Sequence, residues 1–242
     1  MLQGQDVFHK LTSETTLEVR QLFLKAAELE PELGLPYLGL AWTHYLEYRA
    51  QWVATGPEAL ARATTYLDQA AETLGDSYRI HRLLAKISQA RGEHDKTLAH
   101  SEPALKPNPN DGDLLATYAQ MLTYSGQSKD ARRWVEDAMR RNPHYPGWYA
   151  SALSTILYLE KDYEAAEASL NKVGTLAIWD HRVLAASYAQ LGRQDEAQQH
   201  VDAVLKIDPN FSLATFKSKL QFRRDADKDH FLEGLKKAQF PE

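Results

Sequence analysis

The sequence predicts an all-α protein, a solenoid of about six helix–turn–helix repeats closed by C-terminal capping helices. Three observations carry this. First, segments that stop at proline recur at a fixed spacing. Pro109 in LKPNPNDGDLL and Pro143 in MRRNPHYPGWY are 34 residues apart, and Pro209 in LKIDPNFSLA follows after 66, two units of 33. Pro31 in AELEPELGLPY closes an earlier segment. Second, glycines fall halfway between the stops, with Gly92 and Gly126 also 34 apart and Gly192 a further 66 along. Third, the residues between these marks have a helical apolar period. A fixed spacing in this range marks an array of small units, each unable to bury its apolar face alone.

The first helix of the unit from Gly112 places Leu115, Tyr118, Ala119 and Leu122 at i, i+3, i+4 and i+7. Its second helix places Ala131, Val135 and Ala138 at i, i+4 and i+7. Both are one-sided apolar stripes. The unit around Gly192 repeats them with Leu184, Ala185 and Tyr188, then Ala197, Val201 and Val204. Each midpoint glycine sits where a helix ends in a left-handed residue. Pro143 cannot continue a helix, since it lacks an N–H and disfavours helical geometry in Asn142 before it. Pro146 starts the next helix, where a fixed φ is an advantage. Trp148 and Tyr149 are expected to plug the joint between neighbouring units.

Small residues recur where paired helices must approach: Ala41, Ala85, Ala119 and Ala185 on first helices, Ala63, Ala131, Ala165 and Ala197 on second ones. The pair is twelve apart in four units, at 85 and 97, 119 and 131, 153 and 165, and 185 and 197. This register resembles the tetratricopeptide repeat across nearly the whole chain. The resemblance implies a right-handed superhelix forming one domain over 1–242. Its repeats would span approximately 1–33, 34–77, 78–111, 112–145, 146–177 and 178–211, with a cap over 212–242.

The departures from the repeat are also informative. Ala41 and Ala63 are 22 apart, so about ten residues are inserted around EYRAQWVATGPE, 47–58. Long loops inside compact repeats are often functional, which makes Arg49 and Trp52 candidates. Trp more often packs than stands free, so Trp52 also suits folding back over an apolar end. A polar insertion, KLTSETT, is expected between the helices of the first unit. NKVGTLAIWD replaces a proline stop. Beyond Pro209 one more helix, a linker FRRDADKDH and a last short helix from Phe231 to Ala238 are expected.

The chemistry of the chain points away from catalysis. No phosphate-binding glycine loop, HExxH, GxSxG or EF-hand loop is present. With no cysteine there is no disulfide, thiolate metal site or thiol nucleophile. His94 and His100, six apart on one predicted helix, face different sides. His44 and His81 could reach a common groove, but ligand clusters of the usual spacing are missing, so no metal or other cofactor is expected. The net charge of −5 argues against nucleic acid or anionic membrane as a partner. No run is apolar for long enough to cross a bilayer. The first residues have neither the basic nor the apolar region of a signal peptide, and a cytoplasmic protein is expected.

Tetratricopeptide stacks bind extended peptides or helices in a concave groove lined by first helices. By resemblance the groove residues here are Trp42, Tyr45, Arg79, Arg82, Lys86, Gln89, Gln120, Trp179 and Arg182, with Ala150, Ser154, Leu157 and Ala186 among their neighbours. Arg79, Arg82 and Lys86 step at i, i+3 and i+7, a basic stripe beside two aromatics. Guanidinium groups pair bidentately with carboxylates, and Arg with aromatics dominates interfaces. The same cations also fit a solvated helix face paired with nearby acids. A non-catalytic scaffold binding a protein or peptide, acidic in character, is the expectation, and the chain could also pair with itself as a homodimer. Asp113, Ala116 and Gln120 do not supply the Lys and Asn of the carboxylate clamp in chaperone-binding members. Three stretches, GLAWTHYLEYR (39–49), NPHYPGWY (142–149) and LEGLKKAQFPE (232–242), resemble the C-terminal repeat region of bacterial class III adenylate/guanylate cyclases. That resemblance implies a regulatory or dimerisation domain in a signalling protein.

Overall fold

The computed structural model describes residues 13–50, 56–171 and 173–242. Among the described residues there are thirteen helices and no strand. The chain divides into two compact units, one ending at Ile87 and the other beginning at Ser88.

The first unit contains α1 (Ser13–Leu29), α2 (Gly34–Ala50), α3 (Gly56–Leu74) and most of α4 (Tyr78–Ala90). Helices α1 and α3 both pack on α2. Small residues set the approach: Ala41 and Ala63 are fully buried, and Gly39 leaves room for Phe23, whose ring would lie 2.5 Å from an added Cβ. The ten-residue insertion is not mainly a loop. Helix α2 continues to Ala50 and α3 begins at Gly56, so most of the added length extends the two helices. Trp52 lies outside the described residues. Of KLTSETT, residues 13–16 form the first turn of α1 rather than a loop.

The second unit begins with the last turn of α4. It continues through α5 (His94–Leu105), α6 (Gly112–Tyr124), α7 (Ser128–Arg141), α8 (Gly147–Leu159), α9 (Tyr163–Leu170), α10 (Ile178–Gln190), α11 (Gln194–Ile207), α12 (Leu213–Lys217) and α13 (Asp225–Lys237). Gly92, Gly126 and Gly192 all have positive φ, between 72° and 82°, as a helix-ending glycine requires. Between α8 and α9 the equivalent turn is made by Lys161 at φ 66°, a conformation that costs a non-glycine residue about 1 kcal/mol. No glycine marks that turn in the sequence.

The stop at 140–149 is built as its residues dictate. Asn142 caps α7, and Pro146, extended at ψ 153°, precedes α8, so the helix starts one residue later than expected. Tyr149 is fully buried, stacks on Tyr145 at 5.7 Å, meets Trp148 edge-on at 4.5 Å, and donates its hydroxyl to Asp113 at 2.8 Å. In the α8–α9 pair the small residues in contact are Ser154 and Ala166, both fully buried, and the Ser154 hydroxyl donates to the Ala166 carbonyl at 2.8 Å. This is one residue later than the 153 and 165 read from the period. The last helix also differs: α13 starts at Asp225, inside the expected linker, with Asp225 and Asp227 in its first turn, where acidic groups favour a helix.

Candidate functional site

In the first unit the predicted stripe on α4 is graded. Arg79 is exposed, with its guanidinium 5.6 Å from the Tyr78 ring centre and Nε donating to the Tyr78 hydroxyl at 3.3 Å. Arg82 is half-buried and lies 5.3 Å over the ring of Trp42 on α2. Lys86 is only 9% exposed. At that exposure Lys86 is no open binding cation. Trp42 is half-buried and meets Tyr45 edge-on at 5.8 Å. Tyr45 itself is 7% exposed, and burial pushes its phenol up against the pull of Arg49. It supports Trp42 from the core instead of facing a partner. Arg49, from the insertion, is exposed.

His44 and His81 make separate contacts. His44 stacks on Tyr66 at 5.6 Å, and its Nδ1 lies 2.9 Å from Glu47, whose other oxygen accepts from Arg20 at 2.7 Å. Burial, with Arg20 nearby, holds His44 below its usual range. Burial alone would raise the Glu47 carboxyl, but hydrogen bonds from Arg20 and His44 outweigh it and hold the carboxyl down. His81 contacts Asp76. This network ties α1 to α2 within the first unit.

In the second unit Gln89 and Gln120 are half-buried, whereas Trp179 and Arg182 are engaged by the chain itself. Trp179 donates Nε1–H to Thr155 at 2.9 Å and lies 5.3 Å from Phe231 and 6.2 Å from Phe216. The Arg182 guanidinium sits 4.6 Å from both Phe211 and Phe216. Burial pushes it down to about 10, with Asp208 pulling the other way. Leu157 and Ala186, expected to line a groove, are buried in the same cluster. The same cluster holds Phe211, Phe216, Phe222, Phe231, Leu235 and Phe240, all buried. Sequence reading assigned none of these a role. One signal was available: five of the seven phenylalanines lie beyond residue 210.

His181 and His200 form another cluster, Nδ1 to Nδ1 at 2.8 Å, with Tyr188 stacked on His200 at 5.5 Å. Among the described residues no group of three or more His, Cys, Asp or Glu side chains is placed to hold a metal. No helix among them is long and apolar enough to cross a membrane.

Helices paired through small residues, with a left-handed turn at each midpoint, define a helical-repeat fold. The comparisons with known proteins specify the repeat. The tetratricopeptide repeat family model matches residues 183–211, most of α10 and all of α11. The TPR repeat-containing protein YpiA of Bacillus subtilis is 24% identical over 186 residues, which cover 72% of this chain and 42% of YpiA. The match thus spans less than half the length of this curated relative. Among solved structures, the fold is similar to a chain of the Cut9–Hcn1 hetero-tetramer of the APC/C, at TM-score 0.70 and 18% identity, over 86% of this chain and 39% of that one. It is also similar to TTC0263, a TPR protein of Thermus thermophilus, at TM-score 0.55 and 16% identity, over 81% of this chain and 98% of that one. The fold is therefore of the tetratricopeptide kind.

Proposed function

We propose that the chain is a non-catalytic interaction module that binds a protein or peptide segment through Trp42, Arg79 and Arg82 of its first unit. The observation that carries this reading is the Arg82 guanidinium held over Trp42 with Arg79 exposed one turn earlier on the same helix. A partly desolvated guanidinium on an aromatic face binds a carboxylate with less competition from water. Two arginines one turn apart therefore suit an acidic segment carrying an apolar or aromatic side chain for Trp42. A rigid helical platform lowers the ordering cost of such binding.

The test is selection from a displayed peptide library. Wild type is expected to enrich acidic peptides, and an Arg79→Glu/Arg82→Glu variant with unchanged circular dichroism to lose at least tenfold of that enrichment. Equal enrichment by both proteins would refute the placement.

A regulatory role beside a nucleotide cyclase is the second reading, favoured by the three stretches at 39–49, 142–149 and 232–242. Several of their residues have packing roles here. Gly39 admits Phe23, Glu47, hydrogen-bonded to His44, holds Arg20, and Tyr149 fills the joint at Gly112. Packing therefore accounts for much of the likeness, and the interaction module remains the first reading.

A further inference from the structure

Successive first helices of the second unit end at Ala90, Tyr124, Leu159 and Gln190, and the C-terminal segment touches each end in order. The Gln221 side chain donates to the Ala90 carbonyl at 2.6 Å. The Arg223 backbone N–H donates to the Tyr124 carbonyl at 2.8 Å. The Tyr158 hydroxyl donates to the His230 carbonyl at 3.1 Å, and the two rings stack at 4.9 Å. Lys237 donates to the Gln190 side chain at 2.8 Å. The carbonyls of Ala90 and Tyr124 belong to the last turn of a helix, where no intrahelical partner exists.

The register has a physical basis. His230 and Lys237 are seven residues apart on α13, a rise of about 10.5 Å. Neighbouring packed helices lie about 8–10 Å apart. A helix crossing the stack therefore presents one equivalent side chain per repeat at heptad spacing. Between these polar contacts Phe222, Phe231 and Leu235 are buried to 1% exposure or less. Gly234 lets α13 lie against α8 and α10, where an added Cβ would fall 2.1 Å from the Tyr158 hydroxyl and 2.9 Å from the Ala186 Cβ.

The docked segment also carries costs. The Asp227 carboxylate is 7% exposed and its Oδ2 accepts no hydrogen bond, with Arg224 at 3.7 Å as its nearest cation. The Arg223–Asp95 pair is exposed on both sides, and such pairs contribute little. The link to the body of the unit, residues 217–219, is exposed.

We infer that this face of the second unit is a receptor for a protein segment of the same chemistry as residues 219–242. Such a segment is an extended Leu-x-Phe followed by a short amphipathic helix with aromatic, small and Leu positions, and the chain's own C-terminal segment occupies the face in cis until a partner replaces it. The inference goes beyond the first-unit site and does not depend on it.

The probe is a fluorescent peptide of residues 219–242, read by anisotropy against the full chain. Gly234→Val places its clash on the segment and leaves the receiving face intact. Wild type is expected to bind weakly, and the Gly234→Val chain at least tenfold tighter. A peptide carrying Phe231→Ala is expected to lose that binding. A folded Gly234→Val chain that gains no affinity would overturn the inference. Should that variant fail to fold, hydrogen exchange on wild type decides. Amides of α13 exchanging at least tenfold faster than those of α11 support a displaceable segment, and equal rates overturn it. Arg79→Glu/Arg82→Glu is expected to leave this peptide's binding unchanged, so the two sites fail separately.

Discussion

Replacing Arg182 with methionine tests whether its charge matters to the fold. The guanidinium lies between Phe211 and Phe216 at 4.6 Å from each ring centre, and its Nε donates to no acceptor. Burial lowers it from 12.5 to about 10, a penalty on the charge of roughly 3 kcal/mol. Each ring face returns about 1–2 kcal/mol to a desolvated cation. The two effects nearly cancel, so the charge adds little net stability, while the aliphatic stem still packs. Arg182→Met keeps most of the stem and is expected to stay within about 1 kcal/mol of wild type. Arg182→Ala loses the stem as well and is expected to cost about 2–3 kcal/mol. Urea unfolding followed by far-ultraviolet circular dichroism measures both. A loss above about 3 kcal/mol for Arg182→Met would refute the cancellation and show that the fold depends on the cation.

Two further outcomes follow from the buried polar clusters. His200 is pushed down to about 4, first by burial and then by His181, against the pull of Glu167. An unfolded histidine titrates near 6.5, so between about 6.5 and 4 the unfolded chain binds more protons. Stability is then full above about pH 6.5 and falls as pH drops through that window, by about 1–3 kcal/mol from this pair after allowance for partial exposure. Comparing urea midpoints at pH 7.5 and 5, His200→Phe should show a shallower pH dependence than wild type, and an identical slope would contradict the assignment. In the first unit, Glu47→Gln leaves Arg20 without its carboxylate in a site about one-tenth exposed, at an expected cost of about 2–4 kcal/mol. The Arg20→Met/Glu47→Met double variant should cost less than Glu47→Gln alone, and a larger loss would show that the pair stabilises outright.

The helices were legible because the repeat writes the same constraint several times. A left-handed turn needs glycine at 92, 126 and 192, and a close helix crossing needs a small residue at 119 and 131 or 185 and 197. Where one instance used different residues, the reading slipped. Lys161 adopts the left-handed turn without being glycine, and the α8–α9 crossing moved by one residue to Ser154 and Ala166. Burial of individual groove residues was less legible. Lys86 and Tyr45 read as groove-facing in the sequence, yet both are buried. The C-terminal segment was the least legible, because its contacts are long-range and aperiodic. Gln221 meets Ala90, and Arg223 meets Asp95, across roughly 130 residues. No local pattern encodes such pairings, and only the concentration of phenylalanines after residue 210 signals them.

Each unit pairs an arginine on a first helix with an aromatic ring, and the difference lies in where the ring originates. Arg182 receives Phe211 and Phe216 from the chain that follows its own helix pair. Its face is thereby filled, and the Trp179 beside it is held by Thr155 and Phe231. Arg82 instead lies over Trp42, an earlier helix of the same unit, with Arg79 exposed beside it. On the proposed reading, one chemistry serves two purposes. Where downstream phenylalanines reach the arginine, it becomes part of the cap and its pKa falls with burial. In the first unit, by contrast, Arg79 is exposed to water, where its charge remains available to a carboxylate. That contrast ranks the predicted groove residues. Trp179 and Arg182 belong to packing, and substitutions there should act through stability, whereas Arg79 and Arg82 are the positions at which a change of charge should alter binding without altering the fold.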